Sequence, residues 1–183
     1  AYSLDRLQLE NQLRKAIDED QLVVHFQPKL HLASDRICSA EALVRWQHPT
    51  RGLIAPERFL PLAEETGQIV PLGKWIFTQA CKDAVQLKEM GLLPGRMGVN
   101  LSPLQFHRPG FLDKLKKILA ETGLPADLLE LGVRADVHFQ RACTVSQSVH
   151  FQRLVGTSAK REWQSLRCET SPRLSAQYYC RLC

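Results

Sequence analysis

Apolar positions along this chain repeat with two different periods, and the switches between them mark its elements. Leu9, Leu13, Ala16 and Ile17 recur at three- and four-residue intervals behind Ser3, a residue suited to an N-cap, which predicts an amphipathic helix over residues 4–18. Asp18-Glu19-Asp20 breaks the pattern. Residues 22–27 then read as a strand stopped by Pro28, and residues 29–32 as a second short extended piece turned by Ala33-Ser34-Asp35. Over residues 37–46 the period is two: Cys38, Ala40, Ala42, Val44 and Trp46 point one way, and Ile37, Ser39, Glu41, Leu43 and Arg45 the other. One face of this strand is apolar, while the other carries an acid and a base.

The turn formers of QHPTRG mark a loop, after which Pro56 opens a helix with Phe59, Leu62 and Ala63 as its buried stripe and Gly67 as its stop. A longer helix carries Leu72, Ile76, Ala80, Ala84 and Leu87 on one face, with Gly91 past its end. Met97, Val99 and Leu101 alternate with Gly98, Asn100 and Ser102, which predicts a short strand. Phe111, Leu115, Ile118, Leu119 and Thr122 define a further helix ending at Gly123, and LLEL at 128–131 predicts the next strand. Strands alternating with helices of this length imply an α/β fold of βα units around a parallel sheet. Beyond residue 131 neither period continues.

Composition breaks at the same place. Residues 1–131 carry 16 basic and 16 acidic side chains, whereas residues 132–183 carry 8 and 3, so the formal charge of +5 lies wholly in the last 52 residues. Leu, Ile, Val and Phe make up 41 of the first 131 residues and 11 of the last 52, so the tail has little from which to build a core. Ordering those 52 residues costs more backbone entropy than 11 buried side chains return, and an irregular or disordered C-terminal tail is expected. The division is therefore 1–131 and 132–183. Such a tail also leaves the far side of the LLEL strand unpaired, with Ile37, Leu43 and Val99 or its neighbours uncovered, which favours self-association through the open edge.

Of the six cysteines, Cys38 and Cys81 sit within apolar patterns and read as small core residues, and a disulfide framework is not expected. Cys180-x-x-Cys183 with Cys143, Cys168, His138 and His150 lacks the second pair a zinc site needs. The tail's scattered Arg and Lys form no stripe, so no nucleic-acid polymer is expected as partner. No apolar run approaches the ~18 residues of a spanning helix, and the charged start is not a signal peptide, which points to the cytoplasm. A start at Ala1 rather than Met is compatible with excision from a longer chain.

Glu41 and Arg45 on one strand face need a reason, because an unpaired charge under covering helices costs roughly several kcal/mol. They pair with each other, lie at an exposed strand end, or belong to a site at the mouth of a parallel barrel, where strand carboxyl ends carry the chemistry. Asn100, late on its own strand, is equally a turn residue or a member of that site. Glu130 carries the same ambiguity.

The stretch HFQPKLHLASDRICSAEALVRWQHPTRGLIAPERFLPLAEETGQIVPLGKWIFTQAC, with GVNLSPLQF and LPADLLEL after it, strongly resembles the EAL domain, the bacterial phosphodiesterase of cyclic di-GMP. Glu41-Ala42-Leu43 is the signature triplet. The resemblance covers residues 5–131, about half of a barrel of the usual ~250 residues, and so implies a truncated TIM-like (β/α) barrel. It further implies that Glu41 and Asn100 are ligands for Mg²⁺ or Mn²⁺, and that Gln27, Leu43 and Arg45 line the nucleotide site with Arg45 against a phosphate. It implies cyclic di-GMP as ligand and is compatible with an upstream sensory or cyclase domain. After LLEL the family continues with a metal-binding acid and another acid three places on, where this chain has Gly132 and Ala135. The family's paired aspartates, later Lys and last glutamates have no counterpart, so no catalytic set is complete. Because identity, charge and composition change together, a shifted reading frame accounts for the tail better than divergence does. The expected function is that of an inactive phosphodiesterase fragment; the alternative is a degenerate EAL module acting as a nucleotide-binding or protein-binding regulator.

Overall fold

The computed structural model describes residues 2–32, 34–134, 166–170 and 177–182. In chain order these form α1 (Tyr2–Asp18), β1 (Leu22–His31), β2 (Arg36–His48), β3 (Gly52–Ile54), α2 (Pro56–Glu65), α3 (Ile69–Glu89), β4 (Arg96–Leu101), α4 (Pro103–Phe106), α5 (Phe111–Thr122), β5 (Leu129–Arg134), β6 (Leu166–Thr170) and β7 (Gln177–Leu182). One sheet runs β1-β2-β4-β5-β7-β6, with β3 paired to β2. β2–β4 and β4–β5 are parallel, joined through α3 and α5, and the other pairs are antiparallel. Among the described residues this is a truncated TIM-like arrangement: a mixed sheet whose central strands β2, β4 and β5 run parallel, with the helices on one face. Among the described residues no helix is long and apolar enough to cross a membrane.

The period-two reading of β2 decides where the core lies. Ala40, Ala42, Val44 and Trp46 are buried beneath α2 and α3, together with Met97, Val99 and Leu101 of β4 and Leu129 and Leu131 of β5. Phe59, Leu62 and Ala63 of α2 and Leu72, Ile76, Ala80 and Ala84 of α3 complete this layer, as their helical spacing predicts. Trp46 sits at its centre, wholly buried, edge-on to Phe59 at 5.8 Å, with its indole Nε1 donating to Gln21 Oε1 at 3.1 Å. Val99, expected among the uncovered inward residues, belongs to this buried side because it pairs with Ala42.

Several boundaries differ from the sequence expectation. α1 begins at Tyr2, which places Ser3 inside the helix rather than at its cap. Pro28 does not stop β1, because among the described residues β1 pairs with β2 alone and a proline on an edge strand removes no ladder bond on its free side. QHPTRG is not a plain loop but the turn of a hairpin, β3 returning along β2 through Gly52. α4 is a single turn set by a capping box: Ser102 Oγ accepts from the Leu104 amide, and Gln105 Oε1 accepts from the Ser102 amide. The Gln105 Nε2 donates to the Ile69 carbonyl at 2.9 Å, an approach possible only because residue 73 is glycine, whose absent Cβ would stand 1.5 Å from that nitrogen. Leu128 closes a 3-10 turn, so the fifth strand starts at Leu129.

Cys81 is buried in α3, as expected, and desolvation pushes its thiol up to about 11. Cys38 is exposed instead of core, because β2 begins before the covering helices reach it. The far side of β5 is also not bare: β7 lies antiparallel on it, with Gly132 opposite Tyr179. Tyr178-Tyr179 are strong strand formers, and an unpaired strand edge offers them a ready row of donors and acceptors. The expected irregular character of residues 135–165 and 171–176, and the zinc reading of His138, Cys143, His150 and Cys183, lie outside the described residues.

Candidate functional site on the open sheet face

The face of the sheet away from the helices carries the polar residues. Cross-strand register fixes their order: Gln27 pairs with Glu41, Glu41 with Gly98, and Gly98 with Glu130, so these four positions form one row across β1, β2, β4 and β5. Two residues toward the carboxyl ends of the parallel strands, Leu43 and Asn100 continue the same face, and Asn100 is in register with Gly132. Arg45 lies two residues further still, about 13 Å from Glu41 along the strand at ~3.3 Å per residue. Leu43, Arg45, Asn100 and Glu130 are half-buried, and Gln27 is exposed. The five residues singled out in the sequence therefore share one face of three adjacent strands.

Glu41 does not pair with Arg45. One of its oxygens, Oε1, accepts from Asn100 Nδ2 at 2.5 Å, and a carboxylate that only accepts obliges the amide to present its NH₂. The other, Oε2, lies 3.6 Å from the Lys29 ammonium. That same ammonium donates to Glu130 Oε1 at 3.1 Å. Arg45 instead donates to the carbonyl of its neighbour Val44 at 2.9 Å and is half-buried. Among the described residues no three His, Cys, Asp or Glu side chains converge to hold a metal ion. Sequence reasoning missed Lys29 and left Glu130 ambiguous. Had the strand been carried through Pro28, the spacing of Gln27 and Lys29 would have put both on one face.

At the mouth end, His48 is buried and braces the hairpin: its Nδ1 accepts from the Thr50 and Arg51 amides, both at 3.2 Å. With Nδ1 accepting, the ring proton sits on Nε2, which is buried without a partner. Burial, and next the positive charge of Arg51, hold its pKa below the usual imidazole value. Below pH ~6.5 the unfolded chain takes up a proton that the folded chain refuses. The stabilisation is therefore complete above that pH and is lost as pH falls toward the depressed folded value. The urea midpoint is expected to drop more between pH 7.5 and 5.5 for the wild type than for His48→Asn, and equal drops in the two would refute the assignment.

A sequence model of the EAL domain matches residues 10–157, running past the compositional break at Leu131. The chain belongs to the EAL domain family. Curated relatives agree. An uncharacterized signaling protein of Caulobacter vibrioides is 42% identical over 74% of the chain, and the cyclic di-GMP phosphodiesterase NbdA of Pseudomonas aeruginosa is 42% identical over 71%. The bifunctional diguanylate cyclase/cyclic di-GMP phosphodiesterase MucR of the same organism is 41% identical over 73%. The matched region spans only 16, 17 and 19% of the respective relatives. Among solved structures, the PaMucR phosphodiesterase in complex with c-di-GMP superposes with a TM-score of 0.64 at 41% identity, covering 67% of this chain and 49% of that one. The EAL enzyme Bd1971, in its cAMP- and cyclic-di-GMP-bound form, gives 0.69 at 27% identity, covering 80% and 41%. EAL domains are in general metal-dependent.

Proposed function

We propose that residues 1–131 are the N-terminal half of an EAL phosphodiesterase domain acting in the cytoplasm, and that this chain recognises part of cyclic di-GMP without hydrolysing it. The observation that carries this reading is the shared face of Gln27, Glu41, Leu43, Arg45 and Asn100, combined with a glycine at the position beside Asn100. Arg45 offers a fork to one phosphodiester oxygen pair, Leu43 an apolar contact, and Gln27 a donor and an acceptor at the rim. The structures of relatives bound to cyclic di-GMP support the choice of ligand. Multidomain relatives support attachment to a cyclase or sensory unit, and self-association through the incomplete barrel is proposed with it.

As ligands for Mg²⁺ or Mn²⁺, Glu41 and Asn100 do not fit as a complete set. The Asn100 amide turns its nitrogen toward Glu41, the second Glu41 oxygen faces an ammonium, and residue 132 has no side chain to add. A two-metal site needs several fixed oxygen donors around each ion.

A half-site leaves most of the nucleotide wet. Calorimetry with cyclic di-GMP is expected to give a dissociation constant in the micromolar range or weaker, with at least tenfold weaker binding for Arg45→Ala, the usual scale of a charge-assisted bond. A nanomolar complex, or one indifferent to Arg45, would favour the regulatory module over the fragment. Reading the gene in a shifted frame after codon 131 tests the tail: recovery of an acidic continuation supports the division at that residue.

A further inference from the structure

We propose that Lys29 is the resident cation of the open face: its ammonium, bridging Glu41 and Glu130, takes the electrostatic place of a divalent ion and keeps this half-site free of metal. The inference concerns the carboxylates alone and does not rest on the nucleotide reading. Its first support is reach. Lys29 stands on β1 and Glu130 on β5, with β2 and β4 between them, yet Nζ lies 3.1 Å from Glu130 Oε1 and 3.6 Å from Glu41 Oε2. Residue 98, in the row between the two acids, is glycine and leaves the ammonium room; a Cβ there would stand 3.2 Å from Nζ and oblige it to shift by a few tenths of an ångström.

The second support is burial. The side chains of Lys29, Glu41 and Glu130 are only 25, 14 and 15% exposed. Two carboxylates so far withdrawn from water require a counter-charge, and a half-buried lysine pairing both is one way to supply it. The Asn100 amide adds its positive end to the same carboxylate. A divalent ion bonded to either acid at about 2.1 Å would have to share this space with the ammonium, which it repels. Loading with metal therefore requires Lys29 to leave. A lysine at this place makes metal and ammonium alternatives, and with Gly132 beside Asn100 the described residues supply too few oxygen donors for the metal to win.

Acylation footprinting of lysines on the intact chain tests this directly. Lys29 is expected to react at least tenfold more slowly than Lys117, whose side chain is 75% exposed, and its rate is expected to stay the same in 1 mM Mn²⁺. A threefold or larger rise in Lys29 reactivity on adding Mn²⁺ would show that the metal displaces it and would overturn the proposal. Mn²⁺ titration followed by electron paramagnetic resonance gives the converse. Lys29→Met is expected to bind Mn²⁺ at least tenfold more tightly than the wild type, with the gain abolished by adding Glu41→Gln, whereas Lys29→Arg gains nothing. A folded Lys29→Met with no gain would also overturn it. If circular dichroism shows that Lys29→Met does not fold, the wild-type footprint decides alone.

Discussion

Incubated with cyclic di-GMP and Mn²⁺, the purified chain is expected to leave the dinucleotide intact, at a rate indistinguishable from buffer, and Glu41→Ala is expected to change nothing. Hydrolysis of a phosphodiester needs a water made nucleophilic and charge placed against the phosphoryl oxygens as the bond breaks. Removing one group that stabilises such a transition state commonly costs about 10²–10³ in rate. Here the two positions at which the resemblance to the EAL domain leads one to expect acids are Gly132 and Ala135. Gly132 is in register with Asn100 and so adds no oxygen beside the Glu41–Asn100 pair. What remains on the described face is one carboxylate tied to an amide and an ammonium, a second carboxylate on the same ammonium, and an arginine about 13 Å up the strand. That set can hold an anion in place but has no group free to activate water against it. High-performance chromatography of the nucleotide pool checks this, and turnover that disappears in Glu41→Ala would refute it.

The parts legible in the sequence are those governed by local periodicity. Alternation along residues 37–46 sorts Trp46 from Arg45 without any knowledge of neighbours, and the face it assigns to Glu41, Leu43 and Arg45 is the open one. The stripes of α2, α3 and α5 follow in the same way, because each repeats at helical spacing between Pro or Gly boundaries. Illegible were the features set by partners distant in the chain. Whether Pro28 ends a strand depends on whether a neighbour needs its amide, and here the neighbour lies on the other side. Cys38 fits the apolar alternation of β2 but begins before the helices cover it. Lys29 meets Glu130, 101 residues away, through the register of four strands, with Gly98 leaving room between them. The link between Glu41 and Asn100 was reached through family resemblance, while the ammonium beside it was reached only through geometry.

Trp46→Ala is expected to cost about 3–5 kcal/mol, the range for deleting a large buried aromatic, a large share of the ~5–15 kcal/mol that holds an ordinary domain together. The indole is wholly buried at the junction of β2, α2 and the Gln21 segment before β1. Its loss removes the edge-on contact with Phe59 and leaves Gln21 Oε1 without its 3.1 Å donor, so the cavity term and a stranded acceptor act together. The opposite sheet face should behave differently. Ile37 is 52% exposed on the uncovered side, so Ile37→Ala deletes methylenes that water already touches, and a cost below ~1 kcal/mol is expected. With a urea dependence of about 1–3 kcal/mol per molar, Trp46→Ala should lower the midpoint by more than 1 M while Ile37→Ala moves it by a few tenths. Equal shifts would mean that the open face is covered in solution, by the chain's own remainder or by a second copy, and that the single-layer core described above is incomplete.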